Sequence, residues 1–148
     1  MRIPFRLLTT LAIAMMTVSA FSAEVVLEGN DAMQFNVKEF TVKAGESVKL
    51  TLKHVGKLPK AAMGHNVVIV EKGTDAMSFG MTIPASGGTM ANGYIPTDKS
   101  KIIAFTAMIG GGESVSVDFT APTEPGSYPF MCTFPGHVAM MRGVMIVE

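Results

Sequence analysis

The chain has 148 residues, and its 12 Lys+Arg balance 12 Asp+Glu to a formal net charge of zero. That balance argues against a nucleic-acid partner, which would call for a basic face, and a single cysteine rules out an internal disulfide framework. The length suits one ordinary domain with a workable core and leaves no room for a second.

The N-terminus reads as an export signal. Arg2 and Arg6 form a positive n-region, Leu7 to Val18 an apolar core, and Ser19-Ala20-Phe21-Ser22 supplies small residues for a cut after Ser22. The apolar run is shorter than the roughly 20 residues that span a bilayer. The expectation is therefore a secretory signal over residues 1–22, a periplasmic mature domain over 23–148, and no stable membrane insertion. Taking 22 from 148 leaves 126 residues, and losing Arg2 and Arg6 leaves 10 basic against 12 acidic side chains, a net charge of −2.

The rest of the chain consists of short apolar or alternating runs between turn residues, which is a β signature. The predicted strands are Glu24 to Glu28, Glu39 to Val42, Ser47 to His54, His65 to Glu71, Lys101 to Ala107, Ser114 to Thr120, Ser127 to Met131 and Gly143 to Val147. Val48, Leu50 and Leu52 alternate with Lys49, Thr51 and Lys53, as a strand with one wet face requires. About eight such strands predict an all-β, two-sheet Greek-key sandwich. The exception is Gly73 to Ser100, where Thr74 is placed to cap a short helix over Asp75 to Gly80, followed by an irregular loop. Met77, Met81 and Met90 in this flap offer thioethers for copper(I), but their spacing of four and nine matches no ligand motif and they read as packing residues.

The chemistry is concentrated in Cys132-Thr133-Phe134-Pro135-Gly136-His137-Val138-Ala139-Met140-Met141. A lone cysteine in an exported protein calls for a partner, a reactive thiol or a metal. Metal coordination would hold it as a protected thiolate. Thiolate and thioether donors favour copper, zinc or iron–sulfur centres, imidazole favours copper or zinc, and two His, one Cys and a weak axial Met make a blue-copper set. The second imidazole stands upstream at His65, within Met63-Gly64-His65-Asn66. Spacing alone leaves Met140 and Met141 both open as the thioether. Pro135-Gly136 supplies the tight turn that lets both ends of the loop point inward.

Met63-Gly64-His65-Asn66, Cys132 to His137 and Met141 together resemble the azurins, the bacterial blue-copper branch of the cupredoxin family. The resemblance extends through Gly29 to Asn36, His54 to Lys60 and Ile102 to Gly110. Four residues separate Cys132 from His137 and three separate His137 from Met141, whereas plastocyanin-like proteins have two between Cys and His. The resemblance implies a cupredoxin-like sandwich holding one type 1 copper. Its ligands would be Cys132, His65 and His137, with Met141 as a weak axial ligand and the Gly64 carbonyl more distant. It also implies that Asn66 and Phe134 steady the thiolate loop and that His54 is a non-ligand histidine near the copper. The family's disulfide is missing, with Ala23 and Glu46 at its places, and Val67 stands where a tryptophan is common.

These features imply a one-electron carrier. No charged side chain lies in Ala61 to Val70 or in Pro125 to Met141, so the surface around the metal is expected to be apolar, suited to brief encounters. The implied partners are c-type cytochromes and periplasmic copper or haem oxidoreductases, and the chain is expected to be a monomer. Two rival classes remain at this level. A copper enzyme would need an open coordination position. A copper-binding or storage protein would use the ten methionines that follow the signal, although these are dispersed and not clustered in repeats.

Overall fold

The computed structural model describes residues 22–148. The expected signal segment lies outside the described residues except for Ser22, which opens the first strand and pairs with Ser47. Eight strands form two sheets: β1 (Ser22–Gly29), β2 (Glu39–Val42), β3 (Ser47–His54), β4 (Val68–Val70), β5 (Ile102–Phe105), β6 (Ser114–Thr120), β7 (Gly126–Met131) and β8 (Arg142–Val147). One sheet has the order β1-β3-β6 and the other β2-β8-β7-β4-β5. The pairs β1/β3 and β2/β8 are parallel, and the remaining neighbours are antiparallel. This is the Greek-key sandwich expected from the alternation of apolar and polar residues.

The alternation in β3 decides its face. Val48, Leu50 and Leu52 are buried against Leu27, Phe130, Met145 and Val147, while Lys49 and Lys53 are exposed. Fully burying each of these aliphatic side chains contributes about 1.5–3 kcal/mol, and a slip of one residue would turn all three to water. Phe35 and Phe40 lean on the Phe130 ring at 5.6 and 5.4 Å, closing the core between the sheets.

β4 does not alternate, because both of its faces are covered. Val67 and Ile69 enter the sandwich core, whereas Val68 and Val70 join Ile95, Met131 and Val138 in a second cluster beneath the flap. The strand is also shorter than His65 to Glu71. His65 instead forms an isolated bridge with Ile109, Val67 N–H donates to Thr106 Oγ1 at 3.0 Å, and the β4/β5 register shifts between Ile69 and Val70. The strand predicted over Lys101 to Ala107 is trimmed to Ile102–Phe105 in the same way.

The flap departs from expectation in two respects. Its helix α2 (Ala76–Thr82; the short α1 is Lys60–Met63) is capped by Asp75, not by Thr74. Asp75 is extended and its carboxylate accepts Ser78 N–H at 2.7 Å, which satisfies one of the orphan donors of the first turn. Met77 packs beneath the flap as expected, but Met81 and Met90 are 70% and 50% exposed and do not. Neither α1 nor the 3₁₀ turns Pro84–Ser86, Met90–Asn92 and His137–Ala139 were foreseen. They are too short to show helical periodicity.

Candidate metal centre

The site lies where β7 runs out into the loop toward β8. Cys132 follows the last residue of β7, its N–H donates to Met141 O at 3.0 Å, and this bond closes the loop one residue beyond the Met131/Arg142 strand pair. Within the loop His137 N–H donates to Phe134 O at 3.0 Å. Gly136, in the left-handed region at φ 81°, reverses the chain so that His137 faces back toward Cys132. His65 arrives from the other side of the sandwich end, held by reciprocal 2.9 Å hydrogen bonds with Ile109.

These elements bring Cys132 Sγ to 3.6 Å from His137 Nδ1 and 4.0 Å from His65 Nδ1. The three donor atoms all lie within 4.8 Å of one another. Gly64 O is 3.8 Å from the same sulfur. A side chain at Gly64 would meet Lys60 O at 2.6 Å and Met108 Sδ at 2.9 Å, so only glycine leaves that carbonyl in place. Met141 is fully buried and joins the same core as Cys132, whereas Met140 is 50% exposed.

Protonation suits a metal. His65 Nε2 lies 2.8 Å from the Asn30 carbonyl, which accepts only a hydrogen, so Nε2 carries the proton and Nδ1 keeps its lone pair toward the sulfur. Burial, the largest cause, holds His65 below its ordinary range and brings His137 down to about 4, so both rings are neutral ligands at neutral pH. Burial also pushes the Cys132 thiol up to about 11, while the Asn66 and Phe134 backbone amides favour the thiolate. A buried thiolate beside two neutral imidazoles lacks a counter-charge, and a soft cation supplies it. The donor chemistry therefore fits copper.

Asn66 braces the loop. Its Oδ1 accepts Thr133 N–H at 2.9 Å, and its Nδ2 donates to Thr133 Oγ1 at 2.8 Å and to Gly93 O at 3.1 Å. Phe134 packs on His137 at 4.5 Å and meets the edge of Tyr94 at 5.3 Å. His54 stacks on His65 at 4.2 Å. Its Nε2–H donates to Met63 O at 2.8 Å and its Nδ1 accepts Gly56 N–H at 3.1 Å. Sequence reading did not find the Asn30 carbonyl or Thr133.

Two surface expectations need correction. Val67 to Val70 are buried under the flap and sheet, and Val138 is 3% exposed because it packs against Gly80 of α2. The apolar surface near the centre is therefore narrower than the uncharged sequence runs, with Ala61, Ala62, Pro135, Ala139 and Met140 among its exposed members.

A buried site of one thiolate and two imidazoles at one end of a Greek-key sandwich defines a cupredoxin-type metal protein. A family model described as copper binding proteins, plastocyanin/azurin family, matches residues 21–148. The chain is 42% identical over 133 residues to azurin of Alcaligenes faecalis, covering 84% of this chain and 97% of that one. It is 39% identical over 132 residues to azurin of Pseudomonas aeruginosa, covering 87% of each. Among solved structures, auracyanin A, a "blue" copper protein from Chloroflexus aurantiacus, superposes with a TM-score of 0.76 at 32% identity, over 86% of this chain and all of that one. The chain belongs to the plastocyanin/azurin family, and its cofactor is copper.

Of the two methionines, only Met141 is buried beside Cys132. Met141→Leu is expected to keep the copper protein's visible colour and raise its reduction potential, because losing a weak donor disfavours copper(II). The stability cost should be under about 1.5 kcal/mol, since the swap conserves volume. Met140→Leu is expected to change neither. Redox titration followed in the visible checks both, and the reverse pattern would move the axial assignment to Met140.

Proposed function

We propose that the chain is a periplasmic one-electron carrier, with His65, Cys132 and His137 as strong copper ligands, Met141 as the axial ligand and Gly64 O as a more distant group. Bound copper supplies the chemistry, a change of one electron between copper(I) and copper(II). The protein supplies a rigid cage, with every ligand anchored by a strand end, a bridge or the Asn66 brace, so little rearrangement accompanies each change. The observation that carries the reading is burial. Cys132, His65 and Met141 are fully buried and His137 is 3% exposed. This leaves no open position for a substrate, so the site suits a carrier and not a catalyst.

His137 is also the exit. Its Nε2 has no hydrogen-bond partner among the described residues, where no buried polar side-chain atom is left unpaired, so this edge of the ring reaches solvent. The exposed apolar residues Ala61, Ala62, Pro135 and Met140 near it suit brief, small redox encounters, consistent with c-type cytochromes and periplasmic copper or haem oxidoreductases as partners. Among the described residues no helix is long and apolar enough to cross a membrane.

The test is self-exchange of the copper protein, measured by NMR line broadening. Met140→Lys puts a charge on an exposed residue three positions beyond His137 and should slow exchange several-fold, because like charges must then meet. Added salt should restore part of the rate, since the repulsion is screened over about 10 Å at 0.1 M. The visible spectrum should not move. A rate unchanged at low salt would mean that electrons leave by another face.

A further inference from the structure

Only Val138, Ala139 and Met140 separate His137 from Met141, and the first two belong to the 3₁₀ turn His137–Ala139. So short a turn leaves most of its carbonyls without a partner of its own, yet each of them has one. His137 O accepts Met140 N–H at 3.0 Å and Met141 N–H at 2.7 Å. Val138 O and Ala139 O accept from one and the same nitrogen, Nη1 of Arg142, at 2.8 and 2.6 Å. Arg142 is the first residue of β8, and its backbone is paired with Met131, the residue before Cys132. The guanidinium thus ties the turn to the strand pair that carries the thiol. α2 buttresses the other side of the turn, with Gly80 against Val138. Arg142 is exposed and forms no ion pair with a carboxylate among the described residues, so an ordinary salt bridge does not account for its placement.

We propose that Arg142 is a positioning residue of the copper centre: by holding the Val138 and Ala139 carbonyls it fixes the turn that spaces His137 from Met141, and so sets how closely the Met141 sulfur approaches the metal. The proposal rests on the copper-carrier reading above. A permanently charged planar donor is suited to this task, because it holds two acceptors while losing little conformational freedom.

The proposal predicts a potential shift opposite in sign to that of simple charge loss. Removing a nearby positive charge favours copper(II), lowers the reduction potential and is screened by salt. Releasing Met141 weakens the axial donor, raises the potential and is indifferent to salt. Arg142→Ala, Arg142→Gln and Arg142→Lys are compared with the unsubstituted chain, each metal-free and copper-loaded. In the metal-free protein, amide hydrogen exchange at Met140 and Met141 should accelerate about tenfold in Arg142→Ala, the scale of a lost hydrogen bond from a charged group. It should be partly rescued in Arg142→Lys, with Leu50 and Val68 unchanged as controls. In the copper protein, Arg142→Ala and Arg142→Gln should raise the potential equally at low and high salt.

Unchanged exchange at Met140 and Met141 would overturn the proposal. Faster exchange with a potential that stays or falls would overturn it too, since the turn would then be held without placing Met141. Failure of the unsubstituted chain to take up copper would overturn the copper reading and the proposal together, and that control separates this outcome from failure of Arg142 alone.

Discussion

Replacing Cys132 by serine is expected to abolish the intense visible absorption of the copper-loaded protein and most of the stability that copper confers. The colour arises from charge transfer between a thiolate and copper(II), and this chain has no other cysteine. Copper stabilises the fold by binding only the native state, by about 4 kcal/mol when free metal is a thousandfold above its dissociation constant. A hydroxyl does not replace a soft thiolate donor, so that increment should nearly vanish. The metal-free variant should lose no more than about 1–3 kcal/mol, from a buried hydroxyl with poor partners. Visible spectra and thermal unfolding with and without copper check both parts. A serine variant that kept the band would show that the sulfur is not the ligand.

Replacing Asn66 by leucine is expected to be strongly damaging although it touches no ligand. The two side chains are similar in size, so the effect comes from hydrogen bonds. The buried Thr133 N–H and Oγ1 lose their partner, and Gly93 O, at a half-exposed residue, is left to water. Each buried group left unpaired costs about 1–3 kcal/mol, so the total should reach about 3–5 kcal/mol, read as a lower denaturant midpoint at unchanged slope. Copper should still bind, but with a broadened visible spectrum, because the loop carrying Cys132 and Phe134 loses its brace. A loss under about 1 kcal/mol would mean that the brace contributes little beyond what packing already provides.

The donor residues were legible because their chemistry is local. Cys132, His137 and Met141 lie on one short loop, and a single cysteine in a chain read as exported calls for an explanation. His65 was singled out as the second imidazole that a two-His, one-Cys set requires and by its match to a family pattern, but nothing about an isolated imidazole 67 residues upstream of the thiol predicts where the chain will return it. Strands with one wet face, such as β3 and β6, were located to the residue by their alternation. β4 was not, because a strand buried on both faces has no period, and its ends were decided by Thr106 and Ile109 on a neighbouring segment. The uncharged run Pro125 to Met141, which contains Val138, predicts an apolar surface, yet Val138 does not contribute to it. It is buried because α2, which is remote in sequence, lies across it.

The sequence by itself determined the candidate donor residues, their spacing along the last loop, and the buried faces of the strands that alternate. These depend on side-chain type and on the two-residue period of an extended chain, which contiguous residues carry among themselves. Only the tertiary structure decided which nitrogen of His65 faces the metal, which methionine is buried, what braces Thr133 and what holds the turn before Met141. Three of those answers turn on backbone carbonyls that folding places beside a side chain, Asn30 O at His65, Gly93 O at Asn66, and Val138 O and Ala139 O at Arg142, while the burial of Met141 turns on the core packed around it. Every residue has such a carbonyl, so composition and spacing cannot distinguish one from another until folding places it beside its partner.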